Sequence, residues 1–210
     1  MPRLLPLAFG VLLLGAFAAP PDEAAVRAAF EAYKKALLAA DGEAAVAAVD
    51  RNTLGYYGRI HDLALRADSA TVRALPSLDL LMVLLVRHRV PADSLRRMDG
   101  PALLAHGVDE GWIGRDGVEG QTLGGIRVDA DTAYADVLIH GQPVPFAWTF
   151  HREDGQWRLD LTSTMGGISE ALDGAIAETG MDREAFFFDM LGMLTGTPPD
   201  ETIWIPTDPQ

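Results

Sequence analysis

Apolar residues recur at helical spacing through most of the first half of the chain. The first predicted helix starts near residue 22 and ends at Asp41-Gly42. Its apolar face comprises Val26, Phe30, Tyr33 and Leu37. A short helix is predicted over residues 43–49, and helical patterning continues over residues 52–106. The segment 77–90 is apolar on nearly all sides, which predicts a buried helix.

From about residue 121 the hydrophobic period changes to two, which predicts β-strands. Asp154-Gly155 is a dipeptide favoured in two-residue type I′ hairpin turns. With that turn, the predicted cross-strand pairs are Thr149–Asp160, Phe150–Leu159, His151–Arg158, Arg152–Trp157, Trp148–Leu161 and Ala147–Thr162. A second turn is predicted at Gly141-Gln142 as type II′. It predicts the pairs Ile139–Val144, Val137–Phe146 and Ala135–Trp148.

Both predicted turns place the large apolar side chains on the same face of one antiparallel sheet. A slip of one residue at either turn would break this agreement. We expect the apolar face to pack against the helices. His151, Arg158 and Asp160 then belong to the opposite, polar face, away from the interior, which is predicted to meet water, a ligand or another subunit.

Beyond Gly167 the pattern is helical again. One helix is predicted from Ile168 to a stop at Gly180, and a last helix from Asp182 to Gly196. The tail from Pro199 to Gln210 is predicted to be extended, with Ile203, Trp204 and Ile205 holding it in place.

Residues 1–18 are typical of a secretory signal peptide. A short positive start precedes an apolar run and a small-residue cleavage pattern ending at Ala18. We therefore expect an exported protein, periplasmic or secreted, without stable membrane insertion after cleavage. The sequence contains no cysteine, which excludes disulfides, thiolate metal sites and a lipid-modified cysteine.

The balance of charge narrows the range of partners. With 17 Lys and Arg against 30 Asp and Glu, the net charge is −13, which argues against nucleic acid and anionic membranes. No phosphate-binding glycine loop or dinucleotide fingerprint is present. The five histidines form no metal-binding spacing. We therefore expect no cofactor and no metal.

Two segments carry a resemblance to a known superfamily. The first segment is residues 25–49, AVRAAFEAYKKALLAADGEAAVAAV, and the second is a run of strands over residues 120–164. The last hairpin of that run reads as charged residues, then DG, then x-W-R-L. This order resembles the nuclear-transport-factor-2-like superfamily, which includes the SnoaL-like enzymes. The resemblance implies an α+β fold in which a curved sheet wraps around helices as a cone that can hold a small molecule.

The predicted organisation follows from these elements. The fold class is α+β, with N-terminal helices packed against a curved antiparallel sheet. Residues 19–166 form the domain, with a helical insertion at about 52–118. Residues 167–210 form a C-terminal helical annex and tail.

The candidate site lies inside the predicted cone. Tyr57 and His61 are four residues apart on one helix face, so a phenol and an imidazole could meet one ligand. Further candidates for ligand binding are Tyr56, Trp148, Trp157 and His88.

Three hypotheses stay open. The leading one is a non-enzymatic domain that binds a small apolar ligand or a protein partner. The second is a small periplasmic lyase or isomerase with Tyr57 and His61 as acid and base. The third is a structural homodimer joined through the polar face of the sheet.

Overall fold

The computed structural model describes residues 21–113 and 118–208. The predicted signal peptide lies outside the described residues. The described chain combines helices with one four-stranded sheet, and this confirms the predicted α+β class. No helix within these two ranges is long and apolar enough to cross a membrane. The division into a domain and an annex stays a prediction.

Seven helices whose full bounds are described precede the sheet. They are α1 Pro21–Ala39, α2 Gly42–Ala48, α3 Arg51–Arg66, α4 Ser69–Arg73, α5 Ser77–Arg89, α6 Ala92–Leu95 and α7 Gly100–Asp109. Four of them begin after an aspartate whose carboxylate accepts a backbone N–H of the first turn, which stabilises the helix start. These capping residues are Asp41, Asp50, Asp68 and Asp99. Helices α3 to α7 cover most of residues 52–106, which confirms the helical patterning predicted there.

The sheet is antiparallel, open and curved, and its strands follow chain order. They are β1 Gln121–Asp129, β2 Thr132–Ile139, β3 Gln142–Glu153 and β4 Gln156–Asp160. Asp154 and Gly155 have φ of 51° and 78°, as a type I′ turn requires. The observed pairs from Thr149–Asp160 to Arg152–Trp157 confirm the predicted register of this hairpin.

The predicted turn between β2 and β3 is wrong by one residue. His140 and Gly141 both have positive φ, 50° and 78°, so they are the loop residues, and Ile139 pairs with Gln142. The predicted register returns at Asp136–Ala147, because β3 carries extra residues in between. That irregular stretch contains Pro145, which has no N–H to donate to the ladder.

Two further features of the sheet correct the sequence prediction. Phe146 was predicted to lie in the core but is 38 % exposed. Strand β4 ends at Asp160, whose side chain accepts the Thr162 N–H at 2.8 Å and caps a 3-10 turn, Leu161–Thr164. The predicted pairs of Leu161 and Thr162 with β3 therefore do not form.

Two further helices follow, α8 Met165–Thr179 and α9 Arg183–Thr195. Gly180 and Gly196 end them in the left-handed conformation, with φ of 65° and 74°, as the sequence predicts. The tail is not wholly extended, since it includes a 3-10 turn, Glu201–Trp204. Ile203 and Trp204 in that turn are buried, as expected, but Ile205 is 58 % exposed, so its predicted part in holding the tail is wrong.

The core lies between the helices and the apolar face of the sheet. Helix α1 packs on β1 and β4, while α3 packs on α5 and α7. The sheet contributes fully buried side chains, namely Ala133, Ala135, Val137, Phe150 and Leu159. An isolated parallel bridge joins Val49 to Leu159, and it brings the start of α3 to the edge strand β4.

Candidate functional site

A cavity of about 420 Å³ lies between the helices and the sheet; we call it the apolar cavity. Its walls come from α1, α3, α5, α7, β1, β3 and the region from the 3-10 turn into α8. The aromatic side chains that line it are Tyr33, Tyr56, Tyr57, Trp112 and Trp148. Ile168, which is 47 % exposed, marks its solvent side. The volume lies in the range of pockets that hold small molecules.

The lining of the apolar cavity carries no formal charge among the described residues. Leucine, methionine, valine and isoleucine side chains fill the spaces between the aromatic rings. Burial raises the pKa of Tyr33, Tyr56 and Tyr57 well above the ordinary tyrosine value. The three phenols are therefore neutral at physiological pH and present hydroxyl groups rather than phenolates.

Tyr56 has a buried hydroxyl that makes no hydrogen bond within the described part of the chain. The Asp79 carboxylate raises its pKa further, by its negative charge and by a marginal hydrogen-bond contact that falls short of full hydrogen-bond geometry. The ring of Tyr56 meets that of Tyr57 edge to face, with centroids 5.6 Å apart. The Arg59 guanidinium lies 5.0 Å from the Tyr56 ring centroid. Packing thus fixes the orientation of the Tyr56 ring, while its hydroxyl group makes no well-formed hydrogen bond within the described residues.

A second polar feature of the wall comes from the sheet. Trp148 donates its indole N–H to Oε1 of Gln121 at 3.1 Å. Lys34 on α1 donates to the backbone oxygen of Gln121 at 2.7 Å, which ties β1 to the helix. Gln121 is buried, so the wall includes a positioned side-chain amide.

A separate polar cleft of about 650 Å³ opens beside the apolar cavity. Arg51, Arg59 and Asp79 are its charged lining residues. Tyr56, Leu78 and Met165 line both spaces. Tyr56 therefore lies between an uncharged interior and a charged, open surface.

The structure brings together only some of the predicted site residues. Tyr56, Tyr57 and Trp148 line the apolar cavity as expected. His61 does not line it, because its Nε2 bonds the Leu95 backbone oxygen at 2.9 Å. The expected convergence of Tyr57 and His61 on one cavity is therefore wrong.

The two other predicted ligand contacts also lie elsewhere. His88 Nε2 is 3.1 Å from the Thr195 hydroxyl, and this histidine lines a different surface pocket. Trp157 donates to Asp22 at 3.4 Å on the opposite end of the sheet's apolar face. Neither residue is among those lining the apolar cavity.

Sequence reasoning missed most of the wall, including Tyr33, Trp112 and Gln121. Tyr33 was identified only as part of the apolar stripe of the first helix, and nothing in that pattern separates a cavity wall from a filled core. Trp112 lies between the predicted helical stretch, which ends at residue 106, and the predicted strands, which begin near Gln121. Only their positions in space join them.

A polar cluster forms where the start of α3 meets the outer face of the hairpin. His151 Nδ1 lies 2.8 Å from Asp50 Oδ2 and 3.8 Å from Asp160 Oδ2. Asp50 is 0 % exposed and Asp160 is 5 % exposed. The prediction of a wet sheet face is therefore wrong at Asp160, because α3 covers it there.

Comparison of the chain with models of protein families, with curated proteins and with solved structures found no match. The function of these sites is therefore inferred from their own geometry and chemistry. The apolar cavity offers an uncharged, aromatic enclosure with a few hydrogen-bonding groups. The cluster at His151 offers buried carboxylates next to an imidazole.

Proposed function

We propose that this chain binds a small, uncharged, mainly apolar molecule in the apolar cavity. The observation that carries the proposal is the lining itself: five aromatic rings and aliphatic side chains surround about 420 Å³ with no charged group among the described residues. Such a lining stabilises a ligand through apolar burial. A charged ligand would lose its hydration without a compensating partner.

The polar atoms of the wall favour a ligand with one hydrogen-bonding group. The buried Tyr56 hydroxyl makes no well-formed hydrogen bond in the described protein, with only a marginal contact to Asp79, and leaving such a group unsatisfied costs about 1–3 kcal/mol. A carbonyl or hydroxyl on the ligand would remove that cost. The ligand class is thus an apolar body with a single neutral polar end near Tyr56.

Binding is favoured over acid–base catalysis. Burial raises the pKa of the Tyr57 phenol, so it is a poor proton donor near neutral pH and ill suited to the acid role. His61, the expected partner base, is held by the Leu95 carbonyl outside the cavity. No histidine or carboxylate is among the described residues that line the apolar cavity.

We further propose a nuclear-transport-factor-2-like relationship and an exported, periplasmic or secreted setting. Helices packed against the apolar face of a curved antiparallel sheet, with a cavity between them, support the first proposal. The apolar run and cleavage pattern within residues 1–18 support the second. A small molecule is favoured over a protein partner because the cavity lies between elements of the same chain.

The proposal is tested with a neutral fluorescent probe, N-phenyl-1-naphthylamine, titrated into the purified full chain. We expect saturable enhancement of probe fluorescence with one probe bound per chain. Leu85, which lines the cavity on α5, is replaced in Leu85→Trp to fill the space, and we expect at least about tenfold weaker binding. The matched control is Leu194→Trp, at a position that is 52 % exposed on α9.

Two results would count against binding in the cavity. One is an absence of saturable probe binding by the folded wild-type chain. The other is equal loss of affinity in Leu85→Trp and Leu194→Trp, which would place the probe elsewhere or reflect general disturbance. Far-ultraviolet circular dichroism of each variant establishes that its fold is intact.

A further inference from the structure

We propose that Asp50, His151 and Asp160 form a binding site for one divalent transition-metal ion. The three residues come from the start of α3, from β3 and from the end of β4. Each offers one ligand atom, and these atoms lie within 4.8 Å of one another. The site is independent of the proposed function, since none of the three residues lines the apolar cavity.

The two carboxylates are each oriented by hydrogen bonds at their other oxygen. Asp50 Oδ1 accepts the Thr53 N–H at 2.9 Å. Asp160 Oδ1 accepts both the N–H and the hydroxyl of Thr162, at 2.8 and 2.5 Å. These bonds hold both Oδ2 atoms towards His151, as outer-shell hydrogen bonds do for metal ligands.

The charge of the cluster favours a divalent cation. Asp50 and Asp160 are buried, and among the described residues no lysine or arginine forms an ion pair with either carboxylate. A protonated His151 supplies a single positive charge against two negative ones. A divalent ion bound to a neutral imidazole and two carboxylates leaves the buried site electrically neutral.

The distances suit a metal after small side-chain movements. Ligand atoms about 2.0–2.2 Å from an ion lie about 2.8–3.6 Å from one another in octahedral or tetrahedral geometry. Of the separations from His151 Nδ1, 2.8 Å lies at the lower end of that range and 3.8 Å just above its upper end. Asn52 lies beside the cluster and donates its side-chain N–H to Asp160 Oδ2 at 3.4 Å; rotation of this amide would turn its oxygen towards the ion to complete the set. One imidazole with carboxylate oxygens is a donor set suited to zinc or manganese.

The competing possibility is a purely protonic network. In that case a proton on His151 Nδ1 bridges to Asp50, while the positive ends of α3 and of the 3-10 turn stabilise the carboxylates. The two possibilities differ in a measurable way. The protonic network has no affinity for metal above that of the exposed carboxylates.

The experiment uses the full chain, stripped of metal with a chelator and titrated with Zn²⁺ and, separately, Mn²⁺ by isothermal titration calorimetry. We expect one high-affinity equivalent of at least one of the two ions and a raised unfolding temperature at saturation. Asp160→Asn keeps the accepting Oδ1 atom but removes a ligand charge, so we expect affinity to fall at least about tenfold. His151→Gln removes the imidazole ligand, and we expect the affinity for metal to fall by a similar factor.

The matched control is Asp129→Asn, which removes the same charge from an exposed position on β1. We expect its affinity for metal to equal that of the wild type. The proposal is overturned if the folded wild type binds neither ion above the level seen in Asp160→Asn. It is also overturned if Asp129→Asn weakens binding as much as the two cluster variants. Circular dichroism of all variants separates loss of binding from loss of folding.

Discussion

Gly100 at the start of α7 lies directly against Gly58 in the middle of α3. A Cβ atom at Gly100 would stand 2.4 Å from the Gly58 nitrogen and 2.6 Å from its Cα. Backbone meets backbone at this point, so no flexible side chain can move to accept the extra atom. The close approach places α7, which supplies Leu103 and Gly107 to the cavity wall, against α3.

Gly100→Ala is therefore expected to destabilise the protein. Overpacking against a fixed backbone costs about 1–3 kcal/mol in free energy of unfolding, measured by urea denaturation. The matched control is Gly58→Ala, because a Cβ there would meet nothing within 4 Å. In the interior of α3 alanine is favoured over glycine, so the control should gain about 0.5–1 kcal/mol. Equal effects of the two variants would contradict this account.

Arg87 provides a second test of the packing around the site. It is 9 % exposed, and burial lowers the pKa of its guanidinium. The side chain donates to four backbone oxygens, three at the C-terminal end of α3 and one in the tail. These are the oxygens of Leu63, Ala64, Ala67 and Ile203. The Arg87 guanidinium on α5 thus donates hydrogen bonds to the carbonyl groups at the end of α3 and also holds the C-terminal tail.

Arg87→Met should lower the free energy of unfolding by about 3 kcal/mol or more, because several buried carbonyls lose their donors together. Urea denaturation measures the change, and proteolysis near residue 203 should become faster as the tail loosens. The control is Arg97→Met, at an exposed position whose side chain bonds only to Ser94 within the described residues. It should change stability by less than about 0.5 kcal/mol. Similar losses in both variants would refute the capping role of Arg87.

The hairpin of β3 and β4 was predictable because its register depends on one local signal. Asp154-Gly155 specifies a turn type, and the turn type specifies each following pair. The preceding turn was less predictable, since His140 adopts a positive φ that is uncommon for residues other than glycine. The irregularity at Pro145 then restored the predicted register for the rest of β3.

The candidate sites were predictable only in part. Tyr56, Tyr57 and Trp148 could be found because aromatic residues stood on faces that the periodicity assigned to the interior. The partnership of Asp50 with His151 could not be found, because 101 positions separate them and no spacing rule covers that distance. Nor could periodicity show that the carbonyl of Leu95 would hold His61.

Tyr56→Phe tests whether the unpartnered hydroxyl serves a ligand or the fold. The substitution removes a buried polar atom that has no partner within the described chain. We expect the free energy of unfolding to stay the same or rise by about 1 kcal/mol. A ligand with a carbonyl or hydroxyl end should bind several-fold more weakly, while the purely apolar analogue is unaffected. A large loss of stability would show that the hydroxyl is satisfied within the protein.

The three cavity tyrosines give the fold a dependence on alkaline pH. Burial raises the pKa of Tyr33, Tyr56 and Tyr57 in the folded chain, and it is the largest cause for each of them. In the unfolded chain each phenol has its ordinary pKa of about 10. The folded state therefore holds these protons more tightly. Their stabilising contribution is fully present below about pH 10 and is lost as the pH rises above it.

We expect the free energy of unfolding to fall above about pH 10.5, by about 1.4 kcal/mol per pH unit for each of the three tyrosines. Urea denaturation at stepped pH measures the slope, and the ultraviolet absorbance of tyrosinate reports when the phenols ionise. Tyr57→Phe should remove about one third of this contribution, and adding Tyr33→Phe about two thirds. If the phenols ionise below pH 11 while the chain stays folded, or if the substitutions leave the slope unchanged, then the three rings are not shielded from water as the structure shows.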